Sequence, residues 1–171
     1  MEKKGVTDII GNEILKSSIA IVPIEFRLPS LANRSVFAIN NAGTINKNNR
    51  LWEVPEEEFN VVIDTNLKGI ANMLCHFIAL MIEKKQGILV NMLSGWGRSA
   101  AAHVAPYCAS KWAVEGLTKS VAKELPAGME IVAFNSGVKN SMLLYLALVA
   151  PKAADMILNL IVADNGAFLS V

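Results

Sequence analysis

Cysteine is scarce in this chain of 171 residues: only Cys75 and Cys108 occur. Two isolated thiols make no disulfide framework, and the chain reads as a reduced, cytoplasmic protein. Histidine is as rare, with His76 and His103 far apart. No group of Cys, His, Asp and Glu has metal-ligand spacing, so no metal site is expected. An excess of charge of one sign is missing too. Sixteen Lys and Arg stand against fifteen Asp and Glu, a net charge of +1, and no basic patch carries interleaved aromatics. That argues against nucleic acid as a partner. The longest apolar runs, near 78–82 and 142–150, fall well short of the roughly 20 residues that span a bilayer, so no membrane partner is expected. Met1-Glu2-Lys3-Lys4-Gly5 leads into no hydrophobic segment, so no secretory signal is expected.

What is present is apolar mass. Hydrophobic residues make up 53% of the chain, a level that suits a parallel sheet buried on both faces. The length suits one domain. From residue 36 onward strands and helices alternate. Strands are predicted at 36–40, 88–93, 129–134 and 168–171. Helices are predicted at 56–83, with Pro55 near its start and Gly69 interrupting it, at 106–125, and at 151–162. Such a series implies the α/β class: a partial doubly wound (Rossmann-type) parallel sheet, roughly one half of the full fold, with helices on both faces. Residues 11–38 have mixed composition and no clean period.

The chemistry gathers where strands end. Tyr107 and Lys111 stand one helical turn apart and share a face. A free phenol titrates near 10 and is a poor acid or base at neutral pH; a fixed cation nearby favours the phenolate. Ser94 follows the strand at 88–93, at the sheet edge where open parallel sheets place ligands. Asn40-Asn41-Ala42-Gly43 leaves the strand at 36–40, and Asn66 lies in the first long helix. Each residue also has a plain reading. Tyr and Lys four apart pack on many helices, Ser94 caps a turn, and Asn66 satisfies a backbone group.

Taken together, Asn66, Ser94, Tyr107 and Lys111 in this order and spacing resemble the short-chain dehydrogenase/reductase family. The resemblance runs from 39 to the end, with a further short piece at 2–10. The runs at 40–46, 94–98 and 105–113 resemble a plant branch, the NADPH-dependent pterin aldehyde reductases. The resemblance implies an NADP cofactor and an aldehyde or ketone substrate reduced to the alcohol. It makes Tyr107 the proton donor and Ser94 a hydrogen-bond donor to the reacting oxygen. Lys111 lowers the phenol's pKa and holds the nicotinamide ribose, and Asn66 holds a water that feeds protons to Lys111. Asn41, Ala42, Gly43, Tyr107, Lys111 and Gly137 contact the cofactor, and Asn40 braces the strand ends. His103 is a further candidate for the substrate side. The two long helices are expected to pair with their copies in a homo-oligomer.

The sequence also departs from the family pattern. The family's glycine-rich Thr-Gly-x-x-x-Gly-x-Gly turn is not found; before residue 39 only Gly5 and Gly11 occur. Ser136-Gly137 stands where the family has Pro-Gly, Leu93 where it has a first serine, and the segment after Ser141 is short. The chain therefore divides into 1–10, a remnant of the segment before the family's fourth strand; 11–38, an atypical insert, either a translated intron or a surface loop; and 39–171, a truncated catalytic domain. Two expectations follow: a reductase, or a non-catalytic remnant that associates but holds no cofactor. Without the family's first three strands, the strand at 36–40 is expected to be an unpaired apolar edge.

Overall fold

The computed structural model describes residues 19–22, 37–135 and 164–170. Five strands form one sheet: β1 (Ile19–Val22), β2 (Phe37–Asn40), β3 (Gly87–Leu93), β4 (Met129–Asn135) and β5 (Phe168–Ser170), hydrogen-bonded in that order. β2 to β5 run parallel, with Ala38 opposite Leu89, Leu89 opposite Ile131, and Ala133 opposite Phe168. The central strand β3, Gly-Ile-Leu-Val-Asn-Met-Leu, is buried along its whole length. A continuous apolar run of this kind is what a strand covered on both faces requires. The architecture is the partial doubly wound α/β sheet expected from the alternation.

One expectation fails at the edge. β2 is not unpaired: β1 lies beside it, antiparallel, from Ile19 opposite Asn40 to Val22 opposite Phe37. The physical reason is the exposed ladder itself. An edge of unpaired N–H and C=O groups is a template for any extended segment, and Ile-Ala-Ile-Val is rich in β-branched residues. The segment 11–38 is thus not structureless at 19–22. The helix expected at 151–162 and the turn at Ser136-Gly137 lie outside the described residues.

Residues 56–82 form one helical rod: α1 (Glu56–Ile63), a π-helical turn (Asp64–Lys68) and α2 (Gly69–Ile82). Glu56, Glu57 and Glu58 fill its first turn, where acidic groups oppose the positive end of the helix dipole. The rod has 27 residues, and its most apolar 18-residue stretch has a mean hydropathy of 1.2, so by length and composition alone it is long and apolar enough to cross a membrane, which the short apolar runs did not suggest. Here it packs on the sheet, burying Val62, Ile70, Leu74 and Met81. The second long helix, α3 (Ala105–Ala122), has Pro106 in its first turn, where the missing N–H costs nothing. Val114 of α3 joins Ile70 and Leu74 of α2 and Leu89 and Ile131 of the sheet in one core. Both rods therefore cover the same sheet face. Ile88, Val90, Val132 and Phe134 of the opposite face are buried too.

The strands enter the sheet through abutting turns. Gly128 has φ +93°, and a Cβ there would lie 2.3 Å from the Lys85 carbonyl oxygen, which belongs to the turn leading into the neighbouring strand. Asn165 closes the far side: its Oδ1 accepts from Ile131 N at 3.0 Å and its Nδ2 donates to Ala122 O at 3.0 Å, tying the end of α3 to β4. Gly128→Ala is expected to destabilise the chain by about 1–3 kcal/mol, because the strained φ and the backbone collision act together. Urea unfolding measures the loss.

Candidate active site

The C-terminal ends of the parallel strands bring the predicted residues together. Asn41, Gly43, Tyr107 and Lys111 line an open cleft of about 430 Å³, with Thr44, Ile45, Met92 and Leu93 completing its wall. β2 delivers Asn41 and Gly43, β3 delivers Met92 and Leu93, and α3 delivers Tyr107 and Lys111. Ser94 caps the 3-10 turn Gly95–Gly97, its Oγ accepting from Trp96 N at 3.3 Å. Its hydroxyl also stands near enough to the Tyr107 phenol to favour the phenolate. The Trp96 ring meets the Tyr107 ring edge-on, with centroids 5.9 Å apart.

Burial pushes the Tyr107 phenol above its ordinary range, and the Ser94 hydroxyl opposes that shift. Lys111 does not supply the lowering expected from the sequence. Its Nζ lies 5.6 Å from the Tyr107 ring centroid and donates to Met92 O at 3.1 Å. Burial drives its own pKa down to about 8. Desolvation disfavours a cation, so an ammonium only 4% exposed is held at a cost. One of its three N–H groups is spent on Met92 among the described residues, which leaves the others for the cleft.

Asn66 sits fully buried in the π-helical turn. Its Oδ1 accepts from Thr44 N at 2.7 Å, and its Nδ2 donates to Thr44 O at 2.8 Å and to Ser110 Oγ at 2.9 Å. The carboxamide therefore braces the strand-exit loop against α3. The Ser110 hydroxyl passes the link on, donating to Tyr107 O at 2.7 Å. Gly69 eases the wide turn, since a Cβ there would meet Asp64 O at 3.4 Å. A Cβ at Gly43 would stand 3.5 Å from both Asn66 Oδ1 and Lys111 Nζ, so the glycine leaves the floor of the cleft open.

The remaining candidates are dispersed. Asn40 braces the strand ends as expected: its Nδ2 donates to Asn91 Oδ1 at 2.7 Å, and Asn91 Nδ2 donates to Thr118 Oγ1 at 2.9 Å. Ala42 lies half-buried between Asn41 and Gly43 but does not line the cleft. Gly137 lies outside the described residues. His103 is exposed, with φ +68°, and acts through its carbonyl, which accepts from Asn46 Nδ2 at 3.0 Å and Asn49 N at 3.1 Å. His76 is exposed on α2, with Nδ1 2.7 Å from Asn72 O. No three His, Cys, Asp or Glu among the described residues are grouped to hold a metal. Sequence reasoning missed Ser110, Thr44 and the Arg98–Glu115 pair. Glu115 was legible in principle, since it continues the four-residue step of Tyr107 and Lys111; Arg98 carries no local signal.

The family model for short chain dehydrogenases matches residues 36–144. The chain belongs to the short-chain dehydrogenase family. It is 59% identical over 145 residues to an NADPH-dependent pterin aldehyde reductase of Arabidopsis thaliana, a match covering 78% of this chain and 60% of the relative. It is 41% identical over 87 residues to a 3-oxoacyl-[acyl-carrier-protein] reductase of Staphylococcus epidermidis, covering 51% of this chain and 35% of that one. The chain thus spans three-fifths or less of these relatives. Among solved structures, an NADPH-bound actinorhodin polyketide ketoreductase superposes with a TM-score of 0.70 at 24% identity, over 81% of this chain and 66% of that one. A Burkholderia cenocepacia gluconate 5-dehydrogenase, in complex with NADP and tartrate, gives 0.69 at 22%, over 81% and 63%. These two likenesses show the dehydrogenase fold.

The buried lysine makes a test available. Its pKa falls from the ordinary 10.5 to about 8 on folding. Between those values the unfolded chain binds more protons, so the lysine's contribution to stability rises with pH across that window. Below about 8 both states are protonated and the folded state carries the whole desolvation cost. Lys111→Met is therefore expected to raise stability at pH 7 by about 1–3 kcal/mol, with the gain shrinking towards pH 10.5. Denaturation series at several pH values check the sign.

Proposed function

We propose that the described half-site performs the proton chemistry of an NADPH-dependent reductase acting on an aromatic or pterin aldehyde. The observation that carries this reading is the meeting of Tyr107 and Lys111 on one cleft at the C-terminal edge of parallel strands, with Ser94 at the end of β3 near the Tyr107 phenol. The nicotinamide-ribose end of NADP fits the residues present. Gly43 leaves the floor open, and the buried Lys111 ammonium keeps N–H donors for hydroxyl groups. When bound, the cofactor supplies the hydride. Tyr107 gives its phenolic proton to the carbonyl oxygen, which becomes the alcohol. Ser94 donates a hydrogen bond to the same oxygen as its charge grows. Lys111 would hold the ribose hydroxyls with the N–H groups it keeps free of Met92. Asn66 keeps Thr44 and the loop at 41–44 in place. The relatives' names support both the cofactor and the aldehyde.

A second reading has its own observation. No glycine-rich turn precedes β2, and the position beside β2 is taken by an antiparallel strand. On this reading 39–171 is a truncated domain that keeps the reacting end of the site without a diphosphate cradle. The chain as it stands then binds NADPH more weakly than micromolar in a fluorescence titration; micromolar binding rejects this reading. The first reading is tested in a chimera that restores the preceding strands and glycine-rich turn from an active relative. The chimera is expected to consume NADPH with an aromatic aldehyde. Tyr107→Phe then cuts turnover by about 100-fold or more while cofactor binding changes little, since the phenol acts mainly on the reacting oxygen. Retention of most activity by Tyr107→Phe removes its assignment as proton donor.

We place the chain in the cytoplasm as a homo-oligomer with a small-molecule substrate. Support for association comes from the long helices, which expose Phe59, Val61, Leu80, Ile82 and Trp112. Apolar side chains on two neighbouring rods are more than scattered surface residues. Sedimentation at tens of micromolar is expected to show a dimer or larger species; a clean monomer refutes it.

A further inference from the structure

We propose that the Arg98–Glu115 pair is a positioning device that holds Ser94 against Tyr107. The two residues join the far end of the serine loop to the helix that carries the phenol. Arg98 Nε lies 3.1 Å from Glu115 Oε1 and 3.0 Å from Oε2, and its second terminal nitrogen lies 2.7 Å from Oε1. This is a fork contact, which fixes direction as well as distance. The carboxylate side chain is only 8% exposed, and Lys119 Nζ, at 2.6 Å, is its other cationic partner. The Arg98 guanidinium also lies over the Phe168 ring of β5, 4.1 Å from its centroid. Held from α3 and from the sheet, Arg98 has little freedom.

What Arg98 holds is short. The loop from Ser94 to Ser99 contains the single turn Gly95–Gly97, closed by Arg98 N donating to Gly95 O at 3.2 Å. Ser99 Oγ donates to Gly95 O at 2.9 Å, and Trp112 Nε1 of α3 donates to Ser99 O at 3.2 Å. α3 thus grips the loop twice, through Glu115 and Trp112, and meets its first residue through Tyr107. Gly95 and Gly97 give the loop backbone freedom of its own, so the serine's place depends on these grips. A surface ion pair contributes little by itself. A buried carboxylate bound by a guanidinium fork at the end of a five-residue lever has a geometric consequence instead.

The proposal rests on the proposed function only for Tyr107 as proton donor, and its test needs neither cofactor nor turnover. The sequence has two tyrosines, Tyr107 and Tyr145. In the full chain carrying Tyr145→Phe, the ultraviolet absorbance of phenolate follows Tyr107 alone. Ser94→Ala removes the hydroxyl that favours the phenolate. The phenolate-to-phenol ratio at the parent midpoint is then expected to fall about threefold to tenfold, the factor one neutral hydrogen bond is worth. Arg98→Gln is expected to give a similar fall, Arg98→Lys a smaller one, and Ser94→Ala with Arg98→Gln no more than either alone. That non-additivity separates positioning from the mere loss of a positive charge, which adds to Ser94→Ala. Glu115→Gln should behave as Arg98→Gln does; if its buried site prevents folding, the half-exposed Arg98 still gives the answer. A parent-like titration in Arg98→Gln, full additivity, or no effect of Ser94→Ala each overturns the proposal.

Discussion

The four-residue step along α3 is the constraint on which the site depends. Tyr107, Lys111 and Glu115 follow one another at that step, so they form a single stripe on one rigid helix. Each meets a different partner: the serine at the end of β3, the Met92 carbonyl within β3, and Arg98 beyond the turn. Val114 and Thr118, on the same side, fill the core and bond Asn91. A shift of α3 along its axis therefore breaks all of these contacts at once. Packing on β3 and β4 supplies the rigidity, because a close-packed core deforms little. The side chains of this stripe inherit their placement from the core.

Buried polar groups are the cost of this arrangement. Lys111, Asn66, Asn91 and Thr118 are all inaccessible or nearly so. Three of the four are neutral and hydrogen-bonded, which makes their burial cheap in net terms. The amide of Asn91 links Asn40 of β2 to Thr118 of α3, and Asn66 links Thr44 to Ser110. These two amide bridges run from the β2 side to α3, one within the sheet layer and one above it. Lys111 is the exception, a cation held where desolvation works against it. Stability alone gives no reason to keep an ammonium there.

Much of this was legible in the sequence, and the reasons differ by element. Strands β3 and β4 and helix α3 announced themselves because long apolar periods with proline and glycine at their ends leave few alternatives. Ser94, Tyr107 and Lys111 were legible because a strand end and a helical turn fix their spacing. The π-helical turn was not: its cause is the pull of Thr44 and Ser110 on Asn66, contacts between residues 22 and 44 apart. β1 was missed because four apolar residues have no period to read, and its place was decided by the open edge beside it. The lowered phenol pKa expected from a lysine one turn away also failed. Sharing a helix face does not set where a flexible ammonium ends, and a backbone carbonyl of β3 claimed it.

The contacts around Tyr107 and Lys111 come from a compact part of the chain. Ser94, Tyr107, Lys111 and their supports Arg98, Ser110, Trp112 and Glu115 all lie between β3 and the middle of α3, with Phe168 added from β5. β2 and the first helical rod add the floor, through Gly43, Thr44 and Asn66. None of these contacts draws on the sheet beyond β2. The surroundings of Tyr107 and Lys111 and whatever stands beside β2 are therefore separable features of this fold, assembled from different strands. Beside β2 this chain carries the antiparallel strand β1, on which none of the described contacts around Tyr107 and Lys111 draws.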